Sequence, residues 1–286
     1  MVIITFQYGR LGNKLLTYGH LLANSYSNGY QVYNYDFRNY FKNFPNALKK
    51  NESTRIDKLT LFITRILAIK LLVKILSRIS KGNFIVLGKY VLMFDRNKDF
   101  DLNDKKFIEL ASSKYVFLFG WLYRDFENIA IHKKEIAKTF RTSDAVHDKL
   151  SQLFSDLRLK YDKIIGLHIR RGDYKFYKDG KYFFEIEEYK AFIHQLRGQF
   201  SADTTVLFFV TSNEKIAINS DDKINVFISN FDFIKDLYAL SRCDLILGPI
   251  SSFSSWASYI GDVPICHLLD RKQQVTLQDF KIHYEL

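Results

Sequence analysis

Short apolar runs alternate with amphipathic helical segments through the second half of the chain, and this alternation limits the possible folds more than any other feature. The apolar runs are, in chain order, "KIIGLHI", "TTVLFFVTS", "INVFIS", "CDLILG" and "VPICHL". Helical segments such as "EIEEYKAFIHQLRGQF" and "DFIKDLYALSR" lie between them. Strands that are apolar throughout and are joined by helices are typical of parallel sheets covered on both faces. This half therefore predicts a doubly wound α/β domain.

The first half opens with the same pattern. The strand "VIITF", the turn "QYGRLGN", the helix "KLLTYGHLLANSYSNG" and the strand "YQVYNY" follow one another, and "KYVFLFGWLY" predicts a later strand. A chain of 286 residues is long enough for two domains. We place the boundary near Lys160, between residues 1–160 and 161–286, where a polar helix gives way to a new first strand. The expected architecture is two Rossmann-like domains facing a cleft.

The formal net charge of +11 favours acidic partners such as phosphorylated small molecules, anionic lipid or nucleic acid. The sequence carries no zinc-finger or RRM signature, so we expect no nucleic-acid partner. Cys243 and Cys266 are too few for a disulfide framework or a four-ligand zinc site, and their apolar surroundings predict buried thiols. The first apolar run is too short for the core of a signal peptide, which predicts a cytoplasmic protein.

One hydrophobic segment, residues 59–80, allows two interpretations. It contains no uncharged run of the ~18 residues that a membrane-spanning helix needs. Lys70, Lys74 and Arg78 are spaced so that they would form one basic stripe on a helix. Such a helix either covers a hydrophobic core or lies on an anionic membrane surface. The second interpretation predicts peripheral contact with the inner face of the plasma membrane.

Polar groups cluster where three strands of the second half are predicted to end. Arg170, Arg171 and Asp173 follow "GLHI". Residues 211–214 ("TSNE") follow "VLFFV", and residues 249–255 ("PISSFSS") follow "CDLIL" and open a helix. Ligands of open parallel sheets bind beyond the carboxyl ends of the strands. We therefore expect the three groups to converge on one ligand.

These groups have the chemistry of an anion site. A guanidinium is always charged and its planar fork matches phosphate oxygens, so the arginine pair suits a diphosphate, with Asp173 holding one arginine in position. The serines would supply hydroxyls and backbone N–H groups at a helix N-terminus. Glu214 would accept a hydrogen bond from a ribose or a base edge. Taken singly, the Arg–Asp pair also suits a structural salt bridge, and the serines suit an ordinary N-cap.

Four motifs, in the same order along the chain, resemble those of a known enzyme family. "HIRRGDY" is similar to the H-x-R-R-x-D motif shared by α-1,2-, α-1,6- and protein O-fucosyltransferases. "GRLGNKLLTYGHLLA", whose glycines alone suit either a weak phosphate loop or a tight turn, resembles the G-x-L-G-N-Q-x-x-x-Y-A stretch of the α-1,2-fucosyltransferases of glycosyltransferase family 11. "FFVTSNE" and "DLYALSRCDLILGPISSFSSWASYIG" resemble later motifs of that family. The region from about residue 36 to 110 matches no part of the pattern.

The resemblance implies a GT-B fold, GDP-fucose as the donor substrate, inversion at the transferred sugar, and no metal or other cofactor. It assigns catalysis to Arg171, which would bind the donor β-phosphate, and to Asp173. The other donor-binding residues that it implies are His168, Arg170, Gly12, Asn13, Ser212, Glu214, Ser251, Ser252, Phe253 and Ser254. The chain departs from the family pattern at Lys14, at "TSNE" and at Ser255, and the second departure leaves the guanine contact open.

We therefore expect an inverting glycosyltransferase that moves L-fucose from GDP-fucose to an oligosaccharide or lipid-linked glycan, forming an α-1,2 bond in a surface polysaccharide. Two alternatives stay open: transfer of another sugar from a different nucleotide donor, and noncatalytic binding of a nucleotide or phosphosugar. The "DFD" at residues 99–101 also matches the metal-binding D-x-D of the other glycosyltransferase fold, a spacing that is common by chance. The sequence singles out no catalytic base.

Overall fold

The computed structural model describes residues 1–7, 9–52, 56, 58–67, 75, 82–218, 220 and 224–282. The chain divides into two compact units, Met1–Ser143 and Asp144–Leu286. The division lies before the helix Asp144–Arg158, whereas the sequence predicts a boundary near Lys160, after this helix. Buried side chains of this helix share one core cluster with strands of the second unit, namely Leu150, Phe154, Ile164, Leu207 and Phe209. Because its apolar face is covered by those strands, the helix belongs to the second unit.

The first unit contains a sheet in which four strands are parallel. In chain order its described helices and strands are β1 (Val2–Phe6), α1 (Leu11–Asn28), β2 (Val32–Asn34), α2 (Pro45–Glu52), α3 (Lys58–Leu67), β3 (Phe84–Leu87), β4 (Tyr90–Phe94), β5 (Phe100–Asp101), α4 (Lys105–Ser113), β6 (Tyr115–Phe119), β7 (Tyr123–Arg124), α5 (Phe126–Ile131) and α6 (Lys133–Thr139). The spatial order is β2-β1-β6-β4-β3, and β3 pairs antiparallel with β4 at the edge. β5 and β7 form a separate short parallel pair.

Helix α1 begins and ends beside glycines with left-handed backbone. Gly9 (φ 87°) precedes the helix, and a Cβ there would lie 2.2 Å from Nδ2 of Asn13, so glycine is required at this position. Gly29 (φ 72°) closes the helix by donating its N–H to the carbonyl of Ser25. The turn after β1 therefore fixes Gly12 and Asn13 in the first turn of α1, at the carboxyl end of the strand.

The second unit contains a parallel sheet whose strand order marks its ligand edge. In chain order its described helices and strands are α7 (Asp144–Arg158), β8 (Lys163–Ile169), α8 (Ile186–Arg197), β9 (Val206–Ser212), β10 (Asn225–Ile228), α9 (Phe233–Leu240), β11 (Leu245–Pro249), α10 (Ser252–Gly261) and β12 (Ile265–Leu268). The spatial order is β10-β9-β8-β11-β12, with every pair parallel. The chain builds outward from β8 to β10 and then returns to add β11 and β12 on the other side. In such sheets ligands bind beyond the strand ends at this reversal, between β8 and β11.

The two strands at the reversal approach each other closely. They are in register, with Leu245 opposite Ile165 and Leu247 opposite Leu167. A Cβ on Gly248 would lie 2.6 Å from the backbone oxygen of His168, so a larger residue would push the strand ends apart. Gly248 therefore allows the carboxyl ends of β8 and β11 to lie close together, and the residues that follow the two strands begin side by side.

Both faces of the second sheet are buried, as its continuous apolar runs predict. Ile165 and Phe208 share one cluster with Phe192 of α8. Leu207 and Phe209 belong to a different cluster, which includes side chains of α7 and α9. Neighbouring residues of a strand point to opposite faces, so this division means that helices cover the sheet on both sides. The loops at its carboxyl edge therefore rest on a rigid support.

The described part of the 59–80 segment is helix α3 and residue 75. Ile63 packs against the core of the first sheet, whereas Phe62 is exposed. Lys70, Lys74 and Arg78, on which the membrane interpretation depends, lie outside the described residues. No helix in the described ranges combines the length and apolarity that crossing a membrane requires.

Candidate active site

The two adjacent arginines lie at the carboxyl end of β8, beside the reversal of strand order. Arg170 and Arg171 follow Ile169, the last residue of the strand. Their side chains are only 14% and 17% exposed. Two guanidinium groups this close together and this sheltered repel each other unless carboxylates or a bound anion neutralise them.

Arg171 is held by two carboxylates. Its Nε donates to Oε1 of Glu214 (2.7 Å), and its Nη1 donates to Oε2 of Glu185 (2.7 Å) and to the carbonyl of Phe184 (3.0 Å). The guanidinium carbon lies 4.6 Å from the ring centre of Phe183. Burial opposes the charge, but the hydrogen bonds to Glu185 and Glu214 outweigh it and raise the pKa of Arg171. The direction of the guanidinium fork is therefore set by protein contacts.

Glu185 connects Arg171 to the start of helix α8. Glu185 is the N-cap residue, and its side chain and that of Glu188 form a reciprocal capping box. In that box the backbone N–H of Glu185 donates to Oε2 of Glu188 at 2.6 Å. The carboxylate that caps the helix therefore also holds the guanidinium of Arg171, which ties the arginine to a rigid element.

The glycine of "RRGD" is required by the neighbouring asparagine. Gly172 has φ 34°, and a Cβ there would lie 2.6 Å from Nδ2 of Asn213. The same asparagine accepts the backbone N–H of Arg171 through Oδ1 (3.0 Å). Gly172 also donates its N–H to Glu214 (3.3 Å). The end of β9 therefore shapes the arginine turn through backbone contacts as well as through Glu214.

Arg170 pairs with Asp173 and has one N–H group that donates a hydrogen bond to no described residue. Its Nη2 donates to Oδ2 of Asp173 (2.9 Å), and its guanidinium carbon lies 5.4 Å from the ring centre of Tyr174. The Nε of Arg170 is buried and has no hydrogen-bond partner among the described residues. A buried donor of this kind is normally satisfied, so a ligand acceptor fits here.

His168 adds a neutral group to the same edge. It is buried, and its ring lies 5.2 Å from the ring of Phe253, which belongs to helix α10. Burial first, and then the charge of Arg170 and the neighbouring His267, lower the pKa of His168 to about 3. The imidazole is therefore neutral at physiological pH and acts as a packing and hydrogen-bonding group rather than as a cation.

The serine loop is tied to the arginine loop. The hydroxyl of Tyr174 donates to the carbonyl of Ile250 (2.6 Å), which directly precedes the serines. Ser251 caps helix α10 by accepting the N–H of Phe253 (3.3 Å), and the buried Ser254 donates to the carbonyl of Ser251 (3.2 Å). These two hydroxyls therefore serve the helix cap, and the helix N-terminus itself is the feature that suits an anion.

The predicted site residues fall into two groups. Those of the second unit lie at the carboxyl edge of its sheet, linked through Arg171, Tyr174 and the cap of α10, and they are His168, Arg170, Arg171, Asp173, Ser212, Glu214, Ser251, Ser252, Phe253 and Ser254. Ser212 accepts the N–H of Glu214 (3.3 Å), which fixes the turn after β9. Gly12 and Asn13 belong to α1 of the first unit.

The sequence profile of glycosyl transferase family 11 matches residues 1–268. This chain belongs to glycosyl transferase family 11. No curated protein matches the family 11 chain by sequence.

Solved fucosyltransferases share the fold of this family 11 protein. An arginine-to-lysine mutant of Arabidopsis thaliana FUT1 in complex with GDP matches with a TM-score of 0.58 and 11% identity, over 98% of this chain and 72% of that one. Fucosyltransferase NodZ from Bradyrhizobium matches with a TM-score of 0.51 and 12% identity, over 93% and 94%. POFUT1 in complex with GDP-fucose matches with a TM-score of 0.51 and 13% identity, over 92% and 95%. The predicted family and the GT-B fold class are therefore confirmed.

Two acidic residues at the carboxyl edge of the second sheet are not among the predicted site residues, Glu185 and Asp236. In the sequence, Glu185 is only the first residue of a predicted helical segment. Its contact with Arg171 gives it a second role besides capping that helix. Asp236, in the first turn of α9, is buried and accepts a hydrogen bond from Ser229, the residue after β10. Burial raises the pKa of Asp236 to about 6. An aspartate inside the apolar helix "FIKDLYAL" is the sequence signal that points to it.

The described residues contain no group of three His, Cys, Asp or Glu side chains able to hold a metal ion. Within "DFD", Phe100 and Asp101 form β5, and Asp99 lies 3.8 Å from the guanidinium of Arg124. Asp99 is thus engaged with a cation of the protein, which is the ordinary structural use of an aspartate.

Proposed function

We propose that this family 11 glycosyltransferase moves L-fucose from GDP-fucose to a hydroxyl of a glycan acceptor, forming an α-1,2 linkage in a surface polysaccharide. One observation carries the proposal: two sheltered arginines, with their fork positions set by carboxylates, lie beside the strand reversal where parallel sheets bind nucleotides. Similar structures support the donor, because NodZ was soaked with GDP-fucose and POFUT1 was solved in complex with it.

The arginines have the properties that departure of GDP requires. As the acceptor hydroxyl oxygen attacks the anomeric carbon, the bond from that carbon to the β-phosphate oxygen breaks and negative charge builds on the diphosphate. In the proposed site this charge meets Arg171, with Arg170 and the N-terminus of α10 beside it. Attack from the face opposite the leaving group inverts the sugar carbon. The acceptor hydroxyl transfers its proton to a base as its oxygen bonds to the sugar.

The carboxylates on Arg171 serve to orient it. Glu214 accepts from Nε, and Glu185 and the carbonyl of Phe184 accept from Nη1, so these contacts leave Nη2 to face a ligand. A fork fixed in this way needs no reorganisation when charge develops, and such preorganisation is where electrostatic catalysis gains most. Asp173 has the same positioning role toward Arg170.

We infer that Asp236, rather than Glu214, contacts the guanine base. Guanine presents N–H donors on one edge, and a carboxylate accepts from such an edge well. Glu214 is engaged with Arg171, whereas the buried Asp236 lies after β10, at the same edge of the sheet. Burial, together with the charge of Asp232, disfavours the ionised form of Asp236 more than Lys235 favours it, and N–H donors from a base would compensate for that desolvation.

The units divide the work in the proposed enzyme. We propose that residues 144–286 carry most of the donor site and residues 1–143 carry acceptor-binding residues, with Gly12 and Asn13 of the first unit also among the donor-binding residues. Charge neutralisation is assigned to arginines, so we propose that the reaction needs no metal.

We expect GDP to raise the melting temperature of the protein more than UDP, ADP or CMP. At a ligand concentration 100-fold above Kd, binding stabilises the folded state by about 2.7 kcal/mol, which a thermal-shift assay resolves. EDTA should leave the shift unchanged. A larger shift with UDP would contradict the guanine assignment. Release of GDP from GDP-fucose by the wild-type protein would distinguish an enzyme from a noncatalytic binding protein.

We also predict that the basic stripe within residues 59–80 contacts anionic membrane. Each basic residue near such a surface adds about 1 kcal/mol of attraction. Replacing Lys70, Lys74 and Arg78 with Gln should therefore release the protein from anionic vesicles in a sedimentation assay, with the melting temperature unchanged. Vesicle binding that survives the triple change, or is absent in the wild type, would leave the segment as a core-covering helix.

A further inference from the structure

A loop rich in aromatic and lysine side chains extends from the arginine pair. It comprises residues 172–183, between β8 and α8, and contains the 3₁₀ turns Gly172–Lys175 and Tyr177–Gly180. Only its first residues take part in the donor site described above. The outer part therefore needs a separate explanation.

Three tyrosine rings of this loop form a row that starts at Arg170. The guanidinium carbon of Arg170 lies 5.4 Å from the ring centre of Tyr174. The ring centres of Tyr174 and Tyr177 are 5.4 Å apart and those of Tyr177 and Tyr182 are 6.4 Å apart, with interplanar angles of 32° and 33°. The hydroxyl of Tyr174 anchors the row to Ile250. The rings are therefore continuous with the donor site.

The outer part of the loop exposes aromatic surface to solvent. Phe176 is 81% exposed and Tyr177 is 47% exposed, whereas Tyr182 behind them is buried. Ile250, where the row is anchored, is also 40% exposed. Exposed apolar side chains that lie together beside a site are typical of a binding surface.

The backbone of the loop is held in an uncommon conformation. Lys178, Asp179 and Gly180 have consecutive positive φ angles of 47°, 57° and 74°. Side-chain-bearing residues rarely adopt this region, and such outliers cluster at functional sites. The ammonium of Lys178 lies 5.8 Å from the ring centre of Tyr177 and 5.9 Å from that of Tyr182. The lysine thus holds the turn against the row of rings.

We propose that this loop is an acceptor-binding platform, on which a pyranose ring of the glycan stacks against Tyr177 and Phe176. The proposal rests on the proposed fucosyl transfer, and it places part of the acceptor site in the second unit. A pyranose has a face of C–H groups, which suits an aromatic ring, and a rim of hydroxyls, which suits the lysine donors Lys175 and Lys178. A sugar on Tyr177 would lie one ring beyond the tyrosine that contacts Arg170, within reach of a donor held there.

An anionic membrane surface also attracts aromatic and lysine side chains. We favour a sugar because the exposed rings continue the row that begins at the arginine pair, so they lead toward the reacting centre. A membrane contact would not require this continuity.

The test compares ring-removing and ring-preserving variants on a glycan array. The probes are oligosaccharides ending in galactose, glucose or N-acetylglucosamine, and labelled protein is applied with saturating GDP. Phe176→Ala and Tyr177→Ala should lower the array signal about tenfold, and Tyr177→Phe should retain it. Leu159→Ala, which removes an 86% exposed apolar side chain elsewhere in the unit, is the matched control and should equal the wild type.

The GDP thermal shift shows whether a negative result contradicts the acceptor platform or the proposed fucosyl transfer on which the platform rests. All variants should keep the wild-type shift, and its absence in the wild type would instead contradict the donor assignment. Equal array signals in all variants, or no signal from the wild type, would overturn the platform. Loss of binding to anionic vesicles in Phe176→Ala with an unchanged array signal would assign the loop to a membrane and also overturn it.

Discussion

Arg171→Lys should lower kcat about 10²–10³-fold, equivalent to about 3–4 kcal/mol of transition-state stabilisation. Lysine keeps the charge but loses the planar fork, and the fork is what Glu185 and Glu214 hold in position. Because charge on the diphosphate increases as the glycosidic bond breaks, kcat should fall more than the KM for GDP-fucose rises. Steady-state release of GDP from GDP-fucose measures both quantities.

A purely structural role for Arg171 predicts a different result. The lysine variant would then melt at a lower temperature, and the folded fraction would turn over at the wild-type rate. Arg158→Lys is the matched control, because Arg158 pairs with Asp244 (3.0 Å), lies before β8 and not at its carboxyl end, and has no place in the proposed site. A stable and fully active Arg171→Lys enzyme would overturn the assignment. Arg170→Lys would show whether the arginine paired with Asp173 contributes as much.

Asp236→Asn should weaken GDP binding about 10²-fold, because hydrogen bonds to a charged acceptor are worth about 1.5–3 kcal/mol each. The comparison with inosine diphosphate makes the assignment specific, since that nucleotide lacks the exocyclic amino group of guanine. The wild type should prefer GDP, and the variant should bind the two nucleotides with similar affinity. Isothermal titration measures both. If Glu214→Gln removes the preference and Asp236→Asn does not, the guanine contact belongs to Glu214.

The same variant has a pH signature in stability. The pKa of Asp236 is raised to about 6 in the folded protein from an unfolded value near 3.8, so the folded state binds its proton more tightly. Its contribution to stability, about 3 kcal/mol, is present below pH ~4 and is lost as pH rises through ~6. The difference in unfolding free energy between wild type and Asp236→Asn should change over that range and be flat above it. Denaturant unfolding from pH 4 to 8 measures this difference.

The hydrophobic pattern determined the fold class. Apolar runs such as "KIIGLHI" and "VLFFVTS" became parallel strands because they are short, apolar throughout, rich in β-branched and aromatic residues, and separated by helices that cover both faces. The same local logic placed Arg170 and Arg171 at a strand end. The hydrophobic pattern did not predict the hairpin of β3 and β4. The position of this hairpin at the sheet edge depends on the pairing of β4 with β6, a strand more than twenty residues later in the chain.

Which groups meet at the site was decided only by tertiary structure. Arg171 contacts Glu185 and Glu214, 14 and 43 residues away, and no local pattern predicts these contacts. Asp173, which the sequence predicts to hold one arginine, holds Arg170. Asp236 gains its raised pKa from burial in the folded unit, and α7 belongs to the second unit because its apolar face packs against that core. Residue type and periodicity are encoded locally, whereas a charge acquires its partner and its dielectric surroundings only after separate segments have packed together.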